Sequence, residues 1–184
     1  MEIEPETAKA LGFPKPAFTV VEQERRWLCR DVPYEMVIRS ERIVDLYVTG
    51  SRLRLREARP IEGGPARLRL SRKGDIDQRT RLVTSIYLPE EEFAILSASL
   101  PGRRLRKLRH TLESPSGVVL SVDQFHGELD GLIMVEAEFS SAGLMATFPA
   151  PVFASREVTD DARYAGGHLA RYGLPDDDFR AKQL

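Results

Sequence analysis

The sequence predicts a β-rich α+β fold of about eight antiparallel strands, with a few helices packed outside. Three observations predict it. Side-chain character alternates with a period of two along much of the chain, without exception in Arg52-Leu53-Arg54-Leu55-Arg56. Turn-forming clusters separate the alternating runs: Glu62-Gly63-Gly64-Pro65, Lys73-Gly74-Asp75, Ser114-Pro115-Ser116-Gly117 and Asp130-Gly131. Helix signals are few.

Taken in order, residues 18–30 open with a β-branched and aromatic run around Glu22-Gln23-Glu24-Arg25-Arg26. A short strand at 43–48 follows, then alternating strands at 52–56, 67–73, 81–88, 105–112, 118–125 and 132–139. Residues 89–100 predict a helix, with Pro89 in the first turn and Glu90, Glu91 and Glu92 near the positive end of the dipole. A second helix is expected over 160–172, with Thr159 as N-cap, Asp160 and Asp161 in the first turn and Gly173 as the stop. A third, shorter one is expected at 33–39.

The chain has 184 residues, which suits one domain. That domain is expected over 18–174. A flexible, extended or loosely packed leader (1–17, with Pro5, Pro14 and Pro16) precedes it, and a frayed tail (175–184, with Asp176-Asp177-Asp178) follows.

Charge excludes some functions. Lys and Arg number 27 against 28 Asp and Glu, so no global basic field exists for wrapping nucleic acid. The Arg103-Arg104-Leu105-Arg106-Lys107 run lacks the interleaved aromatics of a nucleic-acid platform and reads as a strand wall with a solvated end. No apolar stretch reaches transmembrane length and no export signal opens the chain, so no membrane partner is expected and the cytoplasm is the expected location. Cys29 is the single cysteine; it cannot form an intramolecular disulfide and reads as a buried thiol.

The charged faces are sorted by sign. Glu22, Glu24 and Arg26 share one face of the first strand, and Arg52 and Arg54 share a face of another. Lys73 is in phase with Arg69 and Ser71, Arg81 with Val83 and Ser85, Lys107 with Arg109, Asp123 with Phe125, and Glu136 with Glu138. Two architectures accommodate such stripes. An open sheet would turn them to water, whereas a closed barrel would turn them into a lumen and cover its apolar outer face with helices. Segregated signs favour the lumen, because a merely soluble face mixes signs for cross-strand pairing. His110, His126 and His168 lack metal spacing, and Ser116 and Ser121 lack a nucleophile-elbow pattern. Gly63-Gly64 and Gly166-Gly167 match no phosphate-loop fingerprint.

The stripes also carry a resemblance. Glu22-x-Glu24-x-Arg26 resembles the Glu-x-Glu-x-Lys opening of the CYTH domain, the triphosphate tunnel metalloenzyme superfamily. Arg52-Leu53-Arg54 resembles that family's Arg-x-Arg, Leu70-Ser71-Arg72-Lys73-Gly74 its Leu-Thr-x-Lys-Gly, and Lys107-Leu108-Arg109 its Lys-x-Arg. Asp123-Gln124-Phe125, Gly127-Glu128-Leu129, Gly131-Leu132 and Glu136-Ala137-Glu138 resemble its late segment, and Glu157-Val158-Thr159 with Arg163-Tyr164 its closing pattern.

The resemblance implies an eight-stranded antiparallel tunnel that binds triphosphates and hydrolyses them with Mg²⁺ or Mn²⁺. It implies Glu22, Glu24, Asp123, Glu136 and Glu138 as metal ligands, and Arg52, Arg54, Lys73, Arg81, Lys107 and Arg109 as phosphate ligands. Glu22, Glu24 and Arg26 would form the catalytic set. Hard cations prefer carboxylate oxygens and guanidinium groups grip phosphate bidentately, so the residue types suit these roles. Cations outnumber acids in this set, which suits a polyanion. The expected substrate is a small-molecule triphosphate such as inorganic tripolyphosphate. A non-catalytic polyphosphate-binding tunnel and a class IV-type adenylate cyclase are the alternatives. Homodimers occur in the family and remain open here.

Two departures matter. Where the family places two glutamates before the Pro-initiated helix, this chain has Val83 and Ser85. Its opening lysine is replaced by Arg26, which could still bind phosphate but could not replace a lysine acting as general base.

Overall fold

A computed structural model describes residues 4–13 and 18–175. Eight strands make the body: β1 (Val20–Cys29), β2 (Val37–Val48), β3 (Leu53–Pro60), β4 (Arg67–Asp75), β5 (Thr80–Tyr87), β6 (Gly102–Leu112), β7 (Val118–His126) and β8 (Ile133–Phe139). They lie in the order β5-β4-β3-β2-β6-β7-β8-β1, every neighbouring pair antiparallel, and β1 pairs back onto β5. The sheet is therefore closed, and of the two architectures the barrel is the one adopted. A ninth strand, β9 (Ala154–Glu157), adds to the far half of β1 through Trp27↔Glu157 and Leu28↔Arg156.

Register decides which side chains face inward, because directly paired residues project to the same side. Glu22↔Arg81, Arg26↔Glu136, Arg109↔Asp123, Asp45↔Arg56 and Arg56↔Arg69 run round the barrel in one phase. That phase is the lumen.

The opposite phase carries the apolar residues outward, where other segments bury them. Trp27, Leu120, Val122, Val135 and Phe139 form an outer core capped by Met145, Phe148 and Phe153, from α3 (Ala142–Thr147) and the loop after it. Arg25 ties this cover down. It holds Glu157 through two bonds of 2.9 and 2.7 Å, donates to the Phe148 carbonyl at 2.7 Å and lies 4.7 Å over the Trp27 ring. One end of the barrel is packed with Leu28, Leu105, Phe125 and Met134 against Tyr164 and Leu169, the latter on α4 (Gly166–Tyr172).

Several local expectations are revised. Within the segment read as an extended leader, α1 (Pro5–Ala10) forms with proline in its first turn, and Ala8 and Phe13 are buried beside Leu82. Pro14 and Pro16, and the acidic run 176–178 of the tail, fall outside the described residues. The helix at 89–100 is present as α2 (Glu90–Ser99). The helix expected over 160–172 is instead a 3-10 turn, Ala162–Tyr164, followed by α4. Its cap is Asp161, whose side chain accepts from the Arg163 N–H; Thr159 is buried and its hydroxyl accepts from the Arg26 N–H at 3.0 Å. Gly166 and Gly167 thus begin α4. At 33–39 only a 3-10 turn, Tyr34–Met36, appears before β2. β2 begins earlier than expected because Arg39-Ser40-Glu41-Arg42 is polar on both faces, so alternation does not mark it. Among the described residues no helix is long and apolar enough to cross a membrane.

Candidate active site: the charged lumen

Two cavities occupy the lumen, of about 790 and 200 Å³, and Arg56, Arg69, Arg109 and Glu138 line both. The larger is walled by Glu22, Glu24, Arg26, Arg52, Arg54, Lys73, Arg81, Lys107, Arg109, Glu136 and Glu138. Of the residues singled out by sequence, only Asp123 is missing from that wall. It is fully buried behind it, with Lys107 at 2.5 Å and Arg109 donating twice, at 2.7 and 2.6 Å. Both carboxylate oxygens are taken, so Asp123 orients the two cations instead of facing the cavity.

The acids sit on two adjacent strands. Glu22 and Glu24 come from β1, Glu136 and Glu138 from β8, and Glu24 lies directly opposite Glu138. Lys73 donates to Glu22 at 2.8 Å, Arg81 reaches Glu24 at 2.9 Å, and Arg109 contacts Glu136. Burial pushes the Glu22 carboxyl up, but Lys73, Arg54 and Arg81 outweigh it and hold the group below its ordinary value. Glu136 is likewise buried, yet Arg109, Lys107 and Arg26 hold it far below the usual carboxylate range. Glu138 goes the other way: burial raises it, and Glu22, Glu136 and Glu24 add to the rise against the pull of Arg109.

Basic residues dominate the other walls. Burial and the Arg54 charge bring Lys73 down to about 8 despite Glu22. Burial and Arg109 lower Lys107 against the pull of Asp123. Arg26 is buried at the packed end, its guanidinium donating to the carbonyls of Tyr164 at 3.2 Å, Thr159 at 3.4 Å and Gln78 at 3.5 Å. It lies 3.5 Å from Glu24. Arg26 therefore joins β1 to the C-terminal segment as well as facing the cavity.

Val83 and Ser85 pair in register with Lys73 and Ser71, which puts both on the lumen face of β5. The Ser71 and Ser85 hydroxyls are 2.8 Å apart. Hydroxyl and hydrocarbon thus stand where the resemblance expects carboxylates. Sequence reasoning passed over Arg56, Arg69 and Asp45, all in the lumen phase. Arg56 holds Asp45 through two bonds of 2.6 and 2.7 Å. The unbroken alternation from Arg52 to Arg56 marked Arg56, and the phase shared with Lys73 marked Arg69; no motif marked Asp45. Of the histidines, His110 is buried outside the lumen phase with its Nδ1 2.8 Å from the Ser40 hydroxyl, and His168 sits on α4 at the cavity rim.

Glu22, Glu24, Glu136 and Glu138 have the donor chemistry that a hard divalent cation prefers. They are oxygen donors from neighbouring strands, and the Glu24–Glu138 juxtaposition is repulsive without a counter-charge. Three of the four are drawn toward Lys73, Arg81 and Arg109. Accordingly, no group of three acidic, His or Cys side chains among the described residues is gathered around one cation position.

No family model matches the chain. It is 35% identical over 85 residues to an inorganic triphosphatase of Nitrosomonas europaea, a match covering 46% of this chain and 56% of that protein. The chain thus spans about half the length of this curated relative. A solved inorganic triphosphatase superposes with a TM-score of 0.57 at 28% identity, covering 82% of this chain and 95% of the other. A Pyrococcus horikoshii protein shares the fold, with a TM-score of 0.54 at 22% identity over 68% of this chain and 82% of its own. Closed barrel, inward-facing charges and these likenesses support assignment to the CYTH, or triphosphate tunnel, family.

Proposed function

We propose that this protein hydrolyses a linear triphosphate, with inorganic tripolyphosphate as the preferred class, inside the barrel lumen. The observation that carries the reading is the lumen's sorting: four glutamates on β1 and β8 face walls rich in Arg and Lys within one cavity of about 790 Å³. The name of the matched relative supports the same chemistry.

Phosphoryl transfer demands positioning and charge neutralisation more than a covalent nucleophile. Arg52, Arg54, Lys73, Arg81, Lys107 and Arg109 would bind the phosphoryl oxygens and neutralise their charge. Asp123 behind Lys107 and Arg109 would hold those two side chains in place. Glu22, Glu24, Glu136 and Glu138 would hold Mg²⁺ or Mn²⁺ and orient the attacking water. A bound divalent cation would supply Lewis-acid polarisation of a phosphoryl oxygen. Arg26 would contribute charge, with no part in proton removal. Water would add to a terminal phosphorus as the anhydride bond breaks, yielding orthophosphate and pyrophosphate. A cytoplasmic setting accords with the lone thiol of Cys29.

The test is phosphate release from a panel of inorganic, nucleoside and thiamine triphosphates with Mg²⁺ or Mn²⁺. Metal-dependent release fastest from tripolyphosphate is expected; no release from any of them refutes hydrolysis. A second reading, a binder without turnover, is favoured by Val83 and Ser85 in the lumen of β5. Calorimetric binding of tripolyphosphate with no hydrolysis in either metal would select it.

A further inference from the structure

The N-terminal segment meets the barrel where its sheet closes. β1 pairs with β5 over four residue pairs, Val20↔Val83 to Gln23↔Thr80, the shortest of the eight barrel pairings among the described residues. Val21, Leu82 and Gly74 form one outward-facing row across β1, β5 and β4. The rows on either side of it face the lumen: Glu22, Arg81 and Asp75 in one, Val20, Val83 and Lys73 in the other. Charge works against this seam. Arg54 and Arg81 both bear on Lys73 as like charges, and Val20 and Val83 give it no acid within its own row.

Residues 8–13 cover the outward row. Ala8 and Phe13 are buried with Leu82, and Leu11, Val21 and Ile76 pack around them. Gly74 permits the approach, since a Cβ there would sit 2.8 Å from the Phe13 ring and 3.4 Å from the Leu11 Cβ. Arg72, on the same face of β4, holds its guanidinium 4.6 Å over the Phe13 ring and donates to the Leu11 carbonyl at 2.8 Å. Both residues that flank Lys73 are thus gripped from outside. Successive side chains of a strand point to opposite faces, so fixing Arg72 and Gly74 fixes the backbone that aims Lys73 inward. Leu82 does the same for Arg81, and Val21 for Glu22. We propose that the segment from α1 to Phe13 is a positioning element, a brace across the β1–β5 closure that holds Lys73 and Arg81 in place to meet a phosphoryl group beside Glu22 and Glu24. The inference rests on the triphosphate reading of the lumen and adds residues that touch no substrate.

The experiment compares wild type, Phe13→Ala, Phe13→Leu and Arg72→Gln with Phe148→Ala, which trims the outer core beside Trp27 instead. Tripolyphosphate hydrolysis with Mn²⁺, melting temperature, and amide hydrogen exchange at residues 20–23 and 80–83 are measured. Phe13→Ala and Phe148→Ala should both melt at lower temperature. Only Phe13→Ala should raise KM, by about tenfold, the worth of one charge-assisted hydrogen bond, and speed exchange at the seam. Arg72→Gln should shift KM the same way by less, and Phe13→Leu should recover part of the loss. KM unchanged in both Phe13→Ala and Arg72→Gln, or raised equally in Phe148→Ala, overturns the brace and leaves the triphosphate reading standing. Wild type that releases no phosphate overturns that reading. Exchange then decides the brace by itself, and equal exchange in all the proteins overturns it too.

Discussion

Glu24 on β1 stands directly opposite Glu138 on β8, two carboxylates paired across adjacent strands on the lumen face. Glu24 is answered by Arg81 at 2.9 Å, whereas Glu138 makes no ion pair among the described residues and its carboxyl is raised by burial and by Glu22, Glu136 and Glu24. An opposed like-charge pair costs roughly 0.2–1 kcal/mol. Glu138→Gln should therefore leave the metal-free protein as stable or slightly more stable. It should also abolish most of the thermal stabilisation that Mn²⁺ gives wild type. Differential scanning calorimetry with and without Mn²⁺ checks both, and an undiminished Mn²⁺ shift would remove Glu138 from the metal set.

Asp45 and Arg56 form a buried pair on neighbouring strands β2 and β3. Burial alone would raise the Asp45 carboxyl, but Arg56 and Arg54 outweigh it and hold the group far below its ordinary value. A depressed folded pKa gives stability that is complete above the unfolded value, about 3.9, and is lost as pH falls below it toward the folded one. Asp45→Asn should cost about 3–5 kcal/mol at neutral pH, since it leaves Arg56 buried without a counter-charge. It should also flatten the loss of stability between about pH 4 and 2. Urea unfolding at several pH values measures both; an acid slope equal to that of wild type would count against the pair.

Gly166 starts α4 hard against Tyr47, a residue of the cavity wall. A Cβ there would sit 2.2 Å from the Tyr47 hydroxyl oxygen and 3.2 Å from Cζ. Gly166→Ala should cost about 1–3 kcal/mol, the usual range for overpacking. Adding Tyr47→Phe should recover part of that loss, because the closest clash is with the hydroxyl. Thermal melts of the single and double variants check the coupling; additive losses would mean α4 simply shifts away.

Cys29 faces the outer core, and burial pushes its thiol up to about 12. Thiolate, not thiol, is the nucleophile. Native protein at pH 8 should resist alkylation by iodoacetamide, and protein in concentrated urea should label fully. Rapid labelling of the native form, seen by intact mass, would contradict the packing described for β1.

The barrel was legible because a polar lumen forces the same two-residue alternation that a wet sheet face produces, and the segregated signs told the two apart. Glu22, Glu24, Lys73, Glu136 and Glu138 could be placed together because their strands alternate cleanly. Three features were hidden. Asp45 lies in Ile43-Val44-Asp45-Leu46-Tyr47-Val48, a run whose apolar character masks the one acid that Arg56 requires. Asp123 follows the lumen phase, but whether it meets the cavity or stands behind Lys107 is a matter of side-chain packing that strand periodicity does not carry. The segment 159–166 carries helix-start residues, yet Thr159 is held by β1 through Arg26, so tertiary pairing overrides the local cap preference.

The most direct measurement is phosphate release from inorganic tripolyphosphate by wild type and by Glu24→Gln, with Mg²⁺ and with Mn²⁺. Metal-dependent release by wild type is expected, reduced about a hundredfold or more in Glu24→Gln, whose carboxylate is lost from the β1–β8 wall. No release above the metal-only blank in either metal, or release untouched by Glu24→Gln, would contradict a hydrolytic site in this lumen.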